Sequence, residues 1–532
     1  MIKGFNKFIS AQFLFPVYSG ILLSLGYHSV WAPLFLFPAF IPLFFRIDSL
    51  SSEQKSLAFS SIWICFFVYH MGSVWWIFLS SLTGGIVMPL INSFFMSLPV
   101  FAAWILIKKN KALGWIAMIF FFIVFEYFHH NWPFQWPGLS LGNAFFNNTG
   151  IVQWYEFTGI LGGSFWIMAI NVMLFIILKN LSGRGKTKSI ILFTGFALLV
   201  ILPVLLSKMI LKNNKNTFLS ENIIEFVVVQ PNINPYTEKY GGISFNKQVD
   251  RLIELAEKKI SVKTDYVIFP ETAVPEIISM KSFRNNQHIS RLINFVNEHP
   301  QISLITGIHL TDTIITKNED SIVRVYNSVI QIDDAESIQI YHKSKLVIGV
   351  ETFPGLDYFP WLSDLIRDFG GYVGSLTPQK DRTVFYSENK TQIAPVICYE
   401  SLFGEFVTDY VKAGAEVICV ITNDGWWGDS PAYRQHFDFG KLRAIETRKP
   451  VIRCANTGIS GLILPDGNAS FKSKGWEENA YNFQVSPNKI ITFYVKHGDW
   501  VGKLSVLISV LLTIIFFAAR IINNGKALQK KQ

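Results

Sequence analysis

Apolar residues are spread unevenly along the chain. Residues 1–210 are almost continuously hydrophobic, 211–500 mix apolar and polar runs as a water-exposed domain does, and 501–523 are apolar again. A membrane-crossing helix needs about 20 apolar residues. On that measure spans are predicted at 8–26, 29–46, 56–79, 85–107, 112–129, 157–179, 189–210 and 501–522. Lys3 and Lys7 precede the first like the head of a signal peptide, but no small-x-small cleavage site follows, so an uncleaved helix is expected. Within 211–500 the pattern changes to short buried runs separated by helical spacing. Strands are predicted at 223–230, 266–269, 303–310, 324–332, 416–423, 450–455 and 460–464, with helices at 246–259, 287–298, 402–413 and 434–448. Continuous apolar strands alternating with helices indicate an α/β domain with both sheet faces covered.

Composition sharpens this division. Half of the 532 residues are hydrophobic and the mean hydropathy is +0.32, too apolar for one soluble protein. The expected organisation is seven spans in 1–210, an α/β domain in 211–500, and a last span with its tail in 501–532. Basic residues occupy alternate loops: Lys3 and Lys7; Arg46 and Lys55; Lys108, Lys109 and Lys111; Lys179, Arg184, Lys186 and Lys188; Arg520, Lys526, Lys530 and Lys531. The short loops near 27–28, 80–84 and 130–150 contain neither Lys nor Arg. By the positive-inside rule both termini are then cytoplasmic and 211–500 lies outside. The net charge of +9 is mostly this topology and gives no reason to expect nucleic acid. The aromatic loop 129–150 suits an interfacial belt or a membrane-level rim where a lipid enters.

Candidate chemistry centres on 393–405, IAPVICYESLFGE, where an apolar strand stops abruptly at Cys398-Tyr399-Glu400. A cysteine at a strand-to-helix turn is placed to be a thiolate, and the N–H of Tyr399 to face an oxyanion. Cys419 and Cys454 lie inside apolar runs and are expected to be inert, Cys65 lies in a span, and no disulfide framework follows from them. Two more polar groups interrupt apolar punctuation: Glu271 in FPETAVPE and Lys343 in YHKSKLVIGVE, with Glu351 eight residues on. A carboxylate to take a thiol proton, an ammonium to steady an oxyanion and a thiol nucleophile make a coherent set for acyl transfer without a metal.

In these contexts, and in this order, Glu271, Lys343 and Cys398 resemble the nitrilase (carbon–nitrogen hydrolase) superfamily. Joined to membrane spans on both sides, the domain is similar to that of the apolipoprotein N-acyltransferase family. Val229-Gln230-x-Asn232, Asn423-Asp424-Gly425-Trp426-Trp427-Gly428, Gln435-His436 and the run from Arg443 to Gly458 agree, as does the loop Trp136-Pro137-Gly138-Leu139 with Gly142. Ile348-Gly349-Val350 departs from the family's usual loop, and Tyr240 stands where it has a tryptophan. The resemblance implies a four-layer αββα domain on the outer face of a bacterial inner membrane, with catalytic Glu271, Lys343 and Cys398 and no cofactor. It implies supporting or substrate-binding roles for Glu351, Tyr399, Glu400, Tyr240, Trp427, Trp136 and Gly142. The implied reaction moves an acyl chain from a phospholipid, such as phosphatidylethanolamine, through a cysteine thioester to the amino terminus of a diacylglyceryl apolipoprotein. The alternative is a membrane-tethered amidase or nitrilase acting on a small amide, for which the number of spans exceeds what an anchor needs.

Overall fold

The computed structural model describes residues 2–180, 186–214, 222–315, 321–353, 376–387 and 391–529. Arg184, Lys530 and Lys531 of the charge pattern, and 215–221 of the polar stretch ahead of the α/β domain, lie outside the described residues. The chain forms two compact units. One comprises Met1–Trp75, Gly85–Met209 and Asp499–Gln532, the other Trp76–Gly84 and Ile210–Gly498.

The first unit is helical. Seven stretches among the described residues are long and apolar enough to cross a membrane: Ala32–Ser49, Lys55–Leu79, Leu82–Lys109, Lys111–His129, Tyr155–Asn180, Ile190–Asn213 and Trp500–Ala519. The helix Ile2–His28 precedes them. Where one span was expected at 29–46 there are two helices, Ala32–Leu36 and Ile41–Ser49, because Pro38 and Pro42 remove amide donors at the junction. Asn171 repairs the break: its amide nitrogen donates to the Leu36 carbonyl at 2.8 Å, and its oxygen accepts from the Phe40 N–H at 2.8 Å. A lipid interior offers no water to do this, so a buried side chain must.

The aromatic loop 129–150 folds into three short 3-10 turns, Pro137–Leu139, Leu141–Asn147 and Thr149–Ile151. Phe145 and Phe146 are buried, which removes them from any interfacial belt. Side chains on the surrounding helices hold the backbone: Tyr69 donates to the Leu139 carbonyl (3.2 Å), Glu126 accepts from the Leu141 N–H (2.8 Å), and Ser164 accepts from the Gly142 N–H (2.8 Å). A Cβ at Gly142 would lie 2.0 Å from the Ile160 carbonyl oxygen, so only glycine fits there.

The second unit is α/β. Its first sheet contains β1 (Ile224–Gln230), β2 (Thr264–Ile268), β3 (Val274–Ser279), β4 (Ser303–Ile315), β5 (Ser321–Ile332) and β6 (Ile338–His342). Its second contains β7 (Ile393–Ile397), β8 (Val417–Thr422), β9 (Val451–Ala455), β10 (Gly461–Ile463) and β11 (Ala469–Lys472). A last strand, β12 (Asn479–Val485), returns to the first sheet. The orders are β12-β1-β2-β4-β5-β6, with β3 on β4, and β11-β10-β9-β8-β7. Strands β7, β8 and β9 are parallel and buried throughout, as strands covered on both faces must be.

The sheets face one another, so that the Cys454 thiol on β9 donates to the Val229 and Ile268 carbonyls of β1 and β2 at 3.3 and 3.4 Å. Outside the first sheet, helices Phe245–Glu257 and Gln287–Glu298 bury Val249, Leu252, Leu292 and Phe295 over Val227, Val267 and Leu304. Helices Gly404–Lys412 and Pro431–Thr447 pack on the second. The result is the expected αββα layering, and the residues of interest lie where strands β2, β6, β7 and β8 end.

Candidate active site

Cys398 follows the last residue of β7 and opens a 3-10 turn, Cys398–Leu402, ahead of the helix that starts at Gly404. It has a left-handed backbone, φ 49°, which a residue with a Cβ adopts only where its surroundings hold it. Its side chain is buried. Burial, and next the charge of Glu271, push the thiol far above its usual range, so Cys398 rests protonated. This corrects the expectation of a thiolate at a helix terminus: the α-helix begins six residues later, and desolvation outweighs a distant dipole.

Glu271 stands just past β2, after Phe269-Pro270. Its turn is close to β4, where a Cβ on Gly307 would lie 2.7 Å from the Glu271 Cα. One carboxylate oxygen accepts from Lys343 Nζ at 3.0 Å and Asn327 Nδ2 at 2.8 Å, the other from the Asn423 N–H at 3.0 Å, and the Cys398 thiol bonds to the same carboxylate. Burial alone would raise its pKa, but the Lys343 charge and these hydrogen bonds prevail and hold it below the ordinary carboxylate value.

Lys343, just past β6, is buried between two carboxylates, with Glu351 Oε1 at 2.9 Å as well as Glu271. Desolvation opposes its charge, yet Glu271 and Glu351 keep the ammonium protonated far above its usual value. Asn327 on β5 bridges the two acids, donating to Glu351 Oε1 at 2.9 Å. The divergent loop Ile348-Gly349-Val350 still delivers Glu351: a tight turn with the Glu351 N–H on the Val347 carbonyl (2.8 Å) and Gly349 at φ 83° folds the acid back. Glu351 Oε2 then accepts from the Val347 N–H at 2.9 Å.

Glu400 fastens the cysteine turn to the lysine loop. Its carboxylate accepts from the N–H groups of Ile397 (2.8 Å) and Ser344 (2.6 Å) and from the Tyr341 hydroxyl (2.7 Å). Tyr240 is 52% exposed, with its hydroxyl bonded to Thr272 beside Glu271. Lys239, which the sequence reading passed over, is buried and donates to the same Thr272 hydroxyl. Burial lowers its pKa to about 8 against the pull of Glu271. Tyr399 is buried with its ring edge on Phe403. Trp136 and Gly142 belong to the helical unit, where Gly142 has the packing role described above.

A second polar cluster backs the cysteine turn. Asp424 Oδ1 lies 2.8 Å from His436 Nδ1, Asp424 Oδ2 accepts from Arg453 at 2.7 Å, and Thr422 donates to Oδ1 at 2.9 Å. His436 Nε2 reaches the Cys398 carbonyl oxygen at 3.1 Å, and Trp427 sets its ring edge-on to His436 with centroids 6.1 Å apart. Cys398, Asp424 and His436 thus bring ligand-type atoms within 4.8 Å of one another. The guanidinium against Asp424 and the hydrogen bonds on both imidazole nitrogens commit these donors to a network, not to a cation. From sequence alone Asp424, His436 and Arg453 carry no roles; their signal is a polar residue after a buried strand, one on a buried helix and one inside a buried strand.

Comparison with known proteins completes the picture. Residues 228–491 match the carbon-nitrogen hydrolase family model and 19–173 the apolipoprotein N-acyltransferase N-terminal domain. The apolipoprotein N-acyltransferase of Chlorobaculum tepidum is 26% identical, over 96% of this chain and 97% of that protein. The one of Rickettsia typhi is 28% identical, over 95% and 98%. Among solved structures, the nitrilase-superfamily protein Nit3 of Saccharomyces cerevisiae aligns with 51% of this chain and 92% of its own at 18% identity, with a TM-score of 0.36. With both matched domains in this order, and relatives aligned along nearly their whole length, the chain belongs to the apolipoprotein N-acyltransferase family.

Proposed function

We propose that this protein moves an acyl chain from a membrane phospholipid, such as phosphatidylethanolamine, to the free α-amino group of a lipoprotein's diacylglyceryl-cysteine, through a thioester on Cys398. The observation that carries this reading is the buried cluster in which one carboxylate, Glu271, meets both the Cys398 thiol and the Lys343 ammonium. In the first half, Cys398 Sγ attacks the ester carbonyl as Glu271 takes the thiol proton. Lys343 and the Tyr399 N–H steady the oxyanion. The carbon–oxygen bond then breaks, the glycerol oxygen takes the proton from Glu271, and the lysophospholipid leaves. In the second half the amine attacks the thioester and Glu271 takes its proton; the carbon–sulfur bond then breaks as Glu271 passes that proton to the sulfur, restoring both the thiol and the carboxylate.

Glu351 keeps a negative partner on Lys343 whenever Glu271 is protonated, so the lysine charge is balanced through the cycle. The Asp424–His436 pair is less suited to be the base, because the imidazole nitrogen nearest the cysteine faces its carbonyl oxygen. The proposed setting is a bacterial inner membrane with the α/β unit outside and both termini in the cytoplasm.

The test is reconstitution in phospholipid vesicles with a diacylglyceryl-cysteine peptide, read by mass spectrometry. N-acylated peptide and lysophospholipid should form in equal amounts. Turnover of small soluble amides with no acylated peptide would replace this reading with the amidase one.

A further inference from the structure

Cys398 and Tyr399 share one trans peptide, there being no cis bond among the described residues. In a planar trans peptide the C=O and the N–H point in opposite directions. Whatever holds the Cys398 carbonyl therefore sets the direction of the Tyr399 N–H, the group given to the oxyanion above. Two side chains hold that carbonyl: Ser401 Oγ donates to it at 2.7 Å and His436 Nε2 lies 3.1 Å away. A carbonyl oxygen only accepts, so Nε2 carries a proton in this contact.

The imidazole is itself fixed. Asp424 lies against Nδ1, Arg453 braces Asp424 and also approaches Nδ1 at 2.9 Å, and Trp427 covers one side of the ring. All of this stands behind a cysteine held in a left-handed backbone, φ 49°.

Building on the proposed acyl transfer, we infer that His436, fixed by Asp424 and Arg453, is a positioning residue: it locks the Cys398–Tyr399 peptide so that its N–H faces the forming oxyanion. Acting on the peptide and not on the sulfur, it should matter when a carbonyl is attacked and hardly matter when the thiol meets a simple alkylating agent.

Two rates measured on the same full-length preparations separate these cases: thioester formation from labelled phospholipid, and alkylation of Cys398 by iodoacetamide, which forms no oxyanion. His436→Leu should slow thioester formation about 100-fold, the scale of losing one oxyanion donor, with alkylation and the phospholipid KM nearly unchanged. His436→Gln, whose amide can donate to the same carbonyl, should recover most of the rate. Ser401→Ala should give a smaller loss of the same kind, and it carries the test if His436→Leu does not fold. Parallel loss of both rates, or unchanged thioester formation in either variant, would overturn the inference while the wild-type thioester stands. A wild-type protein that forms no thioester would bring down the acyl-transfer reading itself, and this one with it.

Discussion

A buried thiol held as a thiol must lose its proton during attack, so the neighbouring carboxylate matters more than the thiol's resting charge. Glu271 pushes the Cys398 thiol up while its own carboxyl is held low by Lys343 and hydrogen bonds. The carboxylate is thus ionised across the neutral range and the thiol is not. Two opposite effects should follow from Glu271→Gln. Transfer should fall by roughly 10²–10⁴-fold for want of a base. Alkylation of Cys398 at pH 8 should become faster, because a negative charge is gone while Lys343 remains. Retained transfer, or slower alkylation, would remove Glu271 from this role. At this scale Glu271 and Cys398 stood out as polar groups at the ends of apolar strands, and Lys343 as a basic residue in a loop with Glu351 eight residues on. The thiol's charge state was not legible, since desolvation depends on burial from all sides. Asn327 was visible only as a polar residue in a strand, and its bridge between two acids needs three separate segments to meet.

Elements were legible in proportion to their burial. The buried strands β1, β2, β7, β8 and β9 lie within a few residues of their expected places, as do the amphipathic helices Phe245–Glu257 and Gln287–Glu298. Strands β3, β6, β11 and β12 were missed, since each has exposed or half-exposed positions and no continuous apolar run. In the helical unit the break at 37–40 was hidden because hydropathy does not see a missing hydrogen bond. Its repair by Asn171 can be tested by Asn171→Leu, which removes the Asn171 acceptor from the Phe40 N–H and leaves the Leu36 carbonyl with the Ala39 N–H alone. A loss of about 1–3 kcal/mol is expected, read as a lower thermal midpoint in detergent. An unchanged midpoint would mean that other groups satisfy the break.

For the whole molecule, the alternation of basic loops supports the proposal that the α/β unit lies on the side opposite residue 185. Reporter fusions at about residues 185 and 300 should therefore give opposite answers, and the same answer from both would refute the proposed orientation. The central claim is the covalent intermediate: two bulky lipid substrates can use one buried thiol in turn because the first leaves before the second arrives. Its most direct measurement is incubation of the purified protein with acyl-labelled phospholipid alone, followed by peptide mapping. The expected result is hydroxylamine-sensitive label on Cys398, absent from Cys398→Ala and discharged by a diacylglyceryl-cysteine peptide with a free amino terminus. Undiminished turnover with no label on Cys398, or with Cys398→Ala still active, would contradict it.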